Sequence, residues 1–87
     1  MKISEIIANC NLQVVSKGRM NRIGWWEGYL VVEYPPSKTA PVSHYIYGPG
    51  VSESERDKLL RVPYPDNLLH KLKVKHNYQS YKVHHAA

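Results

Sequence analysis

Apolar residues along the chain follow two periods, and the switches between them mark out its elements. Ile3, Ile6, Ile7 and Cys10 stand at the i, i+3, i+4, i+7 spacing of one helical face, which predicts a short amphipathic helix over residues 3–10. Two helical turns are marginal alone, so this helix must dock on the rest of the protein. Leu12, Val14 and Val15 suggest a short strand after it, and SKGRMNR at 16–22 reads as a basic turn pivoting on Gly18. Ile23, Gly24, Trp25 and Trp26 then lead through a Glu27–Gly28 hairpin turn into YLVVEY at 29–34. Its density of β-branched and aromatic residues makes this the strongest strand signal in the chain.

Pro35, Pro36 and Pro41 lack amide donors, so PPSKTAP is a loop. VSHYIY at 42–47 alternates again, with Val42, His44 and Ile46 on one face and Ser43, Tyr45 and Tyr47 on the other. GPG at 48–50 ends it. Ser52 and Glu55 form a capping box, Glu53 and Asp57 place negative charge in the first turns, and Leu59 and Leu60 complete a helix over about 52–61. Pro63 and Pro65 break that helix. Asp66 reads as the N-cap of another over about 67–76, whose apolar side is Leu68, Leu69 and Leu72. The order predicts an α+β fold: a short N-terminal helix, a three- to four-stranded antiparallel meander and two C-terminal helices. The connections between strands are too short for parallel crossovers.

With 87 residues the chain has room for one domain, 1–87, with 1–11 as a helical extension and 84–87 as a frayed tail. Its 43% hydrophobic and 22% charged residues are near globular averages, which argues for a folded core. Cys10 is the single cysteine, so packing rather than a disulfide must stabilise the fold, and a reducing, cytoplasmic setting is expected. No apolar run approaches the roughly 18 residues of a membrane helix, so no membrane partner is expected.

Lys and Arg number 12 against 7 Asp and Glu, a formal charge of +5 that favours polyanionic partners. The excess gathers at the carboxyl end, where Lys71, Lys73, Lys75 and Lys82 interleave with Tyr78 and Tyr81 and no acidic residue follows Asn67. Cations neutralise phosphates and aromatic rings stack on bases, so this composition suits RNA or single-stranded DNA. Lys17, Arg19 and Arg22 offer a second basic edge. The plainer alternative is a solvated helix face with its tyrosines in the core.

Trp25 and Trp26 are adjacent, so in a strand they point to opposite faces. One is core, and the other is exposed, covered by the amino-terminal helix, or covered by a partner. With Tyr45 and Tyr47 this pair is the candidate surface for a protein partner, a host protein bound by a phage product, or a second copy in a homodimer. The histidines do not share a ligand spacing, Cys10 is the one thiol, and no nucleophile elbow or phosphate loop is present, so no metal, cofactor or catalytic residue is assigned. A histidine enzyme would require His44, His70 and His76 to converge with a carboxylate.

The stretches NRIGWWEGYLVVEY, HYIYGPGV and DKLLRVPYPDNLLHKLKVKHNYQSYKV resemble, in that order, the KTSC domain family. These are small modules at the carboxyl end of some lysyl-tRNA synthetases and free-standing bacterial and phage proteins. The resemblance runs from about Met20 to Val83, through Ile23 to Trp25, the Tyr45 and Tyr47 pair, Leu59 and Leu60, and the basic, tyrosine-bearing stretch from Lys75 to Val83. It departs at Asp66 to Leu69 and in the longer PPSKTAP loop. The resemblance implies an α+β module with a nucleic-acid-binding role and no established chemistry. The leading expectation is therefore a non-enzymatic nucleic-acid-binding module, and the rival is a protein-binding accessory factor or phage-encoded inhibitor.

Overall fold

The computed structural model describes residues 3–38 and 41–83, with the side chains of Ser16 and Lys17 left out. Helix α1 spans Ile3–Asn9, followed by strands β1 (Gln13–Lys17), β2 (Met20–Trp26), β3 (Tyr29–Tyr34) and β4 (Ser43–Tyr47). Helices α2 (Glu53–Arg61) and α3 (Pro65–His76) come next, and β5 (Ser80–Val83) closes the order. All neighbouring strands are antiparallel, in the order β1-β2-β3-β4-β5. The α+β class and antiparallel meander are as the pattern predicts.

Two expectations need correction. Among the described residues the sheet has five strands rather than three or four, because Ser80–Val83 returns after the helices to pair with β4. Tyr81 and Val83 alternate as in a strand, but four residues are too short a run to announce one, and the free edge of β4 supplies the pairing. Asp66 is not the cap of α3. Pro65 occupies the first helical position, which its fixed φ favours, so Tyr64 is the N-cap and makes no side-chain capping bond. The Asp66 carboxylate instead accepts a hydrogen bond from the Arg19 amide at 2.9 Å, tying α3 to the β1–β2 turn. The expected frayed tail, 84–87, with His84 and His85, lies outside the described residues.

The β2–β3 turn has Glu27 at φ 50° and Gly28 at φ 83°, the doubly left-handed backbone of a two-residue hairpin. Between β1 and β2 the register advances three residues, Val14 to Lys17, against two, Arg22 to Met20, so β1 carries a bulge. Ser52 caps α2 by accepting from the Glu55 amide at 3.2 Å, and α3 stops at Asn77 in the left-handed conformation.

The core lies in two layers, one on each face of the sheet. On one face α1 packs Ile6 and Cys10 on Val31 and Ile46, with Trp26 and Tyr29 at the margin. On the other, Leu59 of α2 and Leu69 of α3 close over Ile23, Leu30 and Val32, with Trp25 packed alongside. Gly24 is where α1 meets the sheet. A Cβ there would stand 2.6 Å from the Cys10 carbonyl oxygen and 2.8 Å from its sulfur. The Trp25 amide donates to that same carbonyl at 2.8 Å.

Candidate nucleic-acid interface

α2 and the first turns of α3 cover the β2 side of their face, and the β3–β4 side is left open. The opening is a groove of about 550 Å³, with Tyr34, Tyr45 and Tyr47 on its sheet side and Arg19, His70 and Lys73 on its rim. The strand period produces this arrangement: Tyr45 and Tyr47 project from the same face of β4, opposite His44 and Ile46. Tyr34 and Tyr45 meet edge to face with centroids 5.4 Å apart, and Tyr45 and Tyr47 lie side by side at 6.5 Å, tilted by 12°. Each ring is held by its neighbour. Tyr47 is 3% exposed, whereas Tyr34 and Tyr45 are half-buried. Burial pushes the Tyr34 and Tyr47 hydroxyls above their ordinary pKa, so both remain neutral donors and acceptors.

Two lysines stand over these rings. The Lys73 ammonium lies 5.2 Å from the Tyr47 centroid and that of Lys82, the cross-strand neighbour of Tyr45, 5.6 Å from the Tyr45 centroid. Lys73 shares a helix side with Asp66 and His70, all three lining the groove. Lys71 and Lys75 are exposed elsewhere on α3 and do not line it. The expected lysine set is thus split, because alternate residues on a helix point about 200° apart.

The other expected residues divide between the two faces. Tyr78 is half-buried and donates to Glu55 Oε2 at 2.6 Å, which fastens the α3–β5 connection to α2. Tyr81 packs on the α1 face and donates to Gln79 at 2.7 Å. Arg19 reaches the groove, and the Lys17 side chain lies outside the described residues. Both indoles are half-buried: Trp25 donates from Nε1 to the Val51 carbonyl at 2.7 Å, and Trp26 packs on the α1 side. They do point to opposite faces, and α1 lies on the side of the second.

Arg22 belongs to a cross-strand row on the α1 face. Arg22, Glu33 and His44 are directly opposite one another on β2, β3 and β4. The Glu33 carboxylate is 3% exposed and accepts from Arg22 Nε at 2.6 Å, Arg22 Nη2 at 2.5 Å and Asn21 Nδ2 at 2.8 Å. It also lies 2.9 Å from His44 Nε2. The Arg22 guanidinium above all holds the carboxyl at about 2, against the opposing effect of burial, with His44 and Asn21 adding to the stabilisation. An ionised carboxylate only accepts, which puts the proton of that pair on Nε2.

The three histidines named from the sequence do not converge. His44 faces Glu33 on one side of the sheet, His70 lines the groove on the other, and His76 stacks on Tyr78 and stands 4.0 Å from Glu55. Among the described residues no group of three or more His, Cys, Asp or Glu side chains is placed to hold a metal ion. No helix among them is long and apolar enough to cross a membrane.

Sequence reasoning missed Tyr34 as a groove residue. Its ring is read as ordinary strand character until the β3–β4 register, with Tyr34 opposite Ser43, brings it next to Tyr45. Asp66 was missed as a rim residue for the reason already given. Compared with family models, curated proteins and solved structures, the chain matches none.

Proposed function

We propose that this protein is a non-enzymatic module that binds single-stranded nucleic acid, RNA or DNA, along the face that carries the tyrosine groove. The observation that carries the reading is the juxtaposition of Tyr34, Tyr45 and Tyr47 with Arg19, Lys73 and Lys82. A half-buried aromatic cluster bordered by cations meets the two needs of single-strand binding, stacking for bases and neutralisation for phosphates. The formal charge of +5 adds long-range attraction. Kinship with the KTSC family is part of the proposal, resting on Ile23 to Trp25, Tyr45, Tyr47, Leu59 and Leu60, as is a cytoplasmic location.

The protein-partner reading rests on Trp25, Trp26, Tyr45 and Tyr47: both indoles are half-buried against this chain's own side chains, on opposite faces, and the two tyrosines belong to the cation-bordered groove. No observation favours it over the nucleic-acid reading.

The test is binding of the purified protein to labelled single-stranded RNA and DNA across a series of salt concentrations. Binding is expected to weaken steeply with salt, by a log–log slope of about 0.7 for each phosphate neutralised. Charge reversal of Lys73 and Lys82 together is expected to reduce binding more than reversal of Lys71 and Lys75. No binding at low salt would overturn the proposal.

A further inference from the structure

We propose that the groove holds one unstacked nucleobase of the bound strand against the Tyr45 ring, the flanking phosphates being taken by Lys73 and Lys82 as these ammoniums leave the tyrosine faces. The inference rests on the nucleic-acid reading above and names the chemistry of its central site.

Four observations carry it. First, the groove's volume of about 550 Å³ falls inside the roughly 300–1,000 Å³ range of small-molecule sites. A base is one of the flat groups it can admit. Second, the rings are already ordered, Tyr34 perpendicular to Tyr45 and Tyr47 beside it, so the tyrosines themselves need not rearrange before stacking. Tyr47 is too buried to present a face and forms the floor; of the half-buried Tyr34 and Tyr45, Tyr45 is the ring whose face is occupied by an exposed ammonium, and so the one assigned to stacking.

Third, the Tyr45 face a base would take is held by Lys82, which can give it up, while Lys73 stands beside it over Tyr47. Lys73 and Lys82 are exposed, and neither makes a salt bridge among the described residues. Base stacking on an aromatic ring is stronger than the attraction of an exposed ammonium to it, and a displaced ammonium gains a phosphate. The exchange therefore runs toward the bound strand. Fourth, among the described residues nothing hydrogen-bonds the hydroxyls of Tyr34, Tyr45 or Tyr47, and none of them is buried without a partner. They reach solvent within the groove, where they can meet the polar edge of a base. A hydroxyl both donates and accepts, so weak discrimination among bases is expected.

The charge around the groove selects an anionic ligand. Arg19 and Lys73 line it and Lys82 stands over Tyr45, so cations outnumber the single lining carboxylate, Asp66.

The experiment compares an oligothymidylate with an abasic sugar–phosphate strand of equal length, by fluorescence anisotropy at fixed low salt. Wild type is expected to bind the base-bearing strand about tenfold more tightly, within the range that base–aromatic stacking supplies. Tyr45→Leu is expected to abolish that preference, and Lys82→Gln to lower the salt slope for both strands. Tyr45→Trp, with a larger ring face, is expected to widen the preference, and it serves as the deciding variant if Tyr45→Leu loses its circular dichroism signature. Equal binding of the two strands by wild type, or an unchanged preference in Tyr45→Trp, overturns the base-in-groove inference and leaves the polyanion reading standing. Failure to bind either strand overturns both. Thymidine monophosphate as competitor separates a strand from a free nucleotide as the source of the base. Weak displacement is expected, and displacement at concentrations below those of the oligomer would overturn the strand assignment.

Discussion

The carboxylate of Glu33 on β3 and the guanidinium of Arg22 on β2 are directly opposite across an antiparallel pair and share two hydrogen bonds, 2.6 and 2.5 Å long. The carboxylate is almost completely buried, while the Arg22 side chain is 42% exposed. The arginine therefore keeps part of its hydration while neutralising a charge that has lost nearly all of its own.

That asymmetry fixes the acid response. Glu33 is held at about 2 in the folded protein against an ordinary value of 4.5. Its stabilisation is complete above about pH 4.5 and is lost as the pH falls toward 2, a change of up to about 3 kcal/mol. Urea denaturation at a series of pH values should show this acid limb. Glu33→Gln should be destabilised by about 3 kcal/mol near neutrality and should lack most of the limb.

Alkali should act on the tyrosines. Burial raises the pKa of Tyr34 and Tyr47, and burial with the hydrogen bond to Glu55 raises that of Tyr78. A raised folded pKa gives stability that is present below the ordinary value of 10.0 and declines as the pH climbs past it. Ultraviolet titration should find these phenols ionising late and together with unfolding. Tyr78→Phe should reduce stability by about 1 kcal/mol, since it removes the one hydrogen bond that reaches Glu55 from Tyr78.

Gly24→Ala should loosen α1. The added methyl has no room beside the Cys10 carbonyl and sulfur, both belonging to the residue that closes α1 onto the sheet. A loss of about 1–3 kcal/mol is expected for such overpacking. Cys10 is fully buried and its thiol pKa is raised, chiefly by that burial, so it should react slowly with thiol reagents in the wild type. In Gly24→Ala the reaction should accelerate, and tryptophan emission should shift to the red as Trp26 loses cover.

Gly18→Ala should disturb the rim of the groove. Gly18 sits at φ 62°, and a Cβ there would overlap the Asp66 carboxylate that holds the Arg19 amide. Strain of at least about 1 kcal/mol is expected. Asp66→Ala should show a similar loss of about 1 kcal/mol from the broken hydrogen bond. Thermal melts of the two variants and of the double variant would show non-additive losses, because both changes act on one contact.

Much of this fold is visible in the residue pattern because its elements are local. The spacing of Ile6, Ile7 and Cys10 marks the side by which α1 docks, although Ile3 at its start is exposed, and Glu27 and Gly28 form the two-residue turn. The alternation from Val42 to Tyr47 correctly sorts His44 and Ile46 from Tyr45 and Tyr47. Ser52 and Glu55 form their capping contact as predicted. Each of these depends on residues within a few positions of one another, where backbone geometry leaves few choices.

What required the tertiary structure is everything set by distant partners. Ser80–Val83 becomes a strand because β4 has an open edge, and a four-residue segment cannot announce an edge formed by a distant part of the chain. The lysines of α3 separate because the helix rotates Lys73 toward the sheet and Lys71 and Lys75 away from it. Tyr34 joins Tyr45 and Tyr47 only through strand register, and Arg22, Glu33 and His44 form a row for the same reason. The sequence by itself determined the elements up to α3, most of their sides and the basic, aromatic character of the chain. The packing of α2 and α3 on one half of a sheet face decided which tyrosines and cations would share a groove, because side chains from separate segments meet only where long-range contacts bring their backbones together.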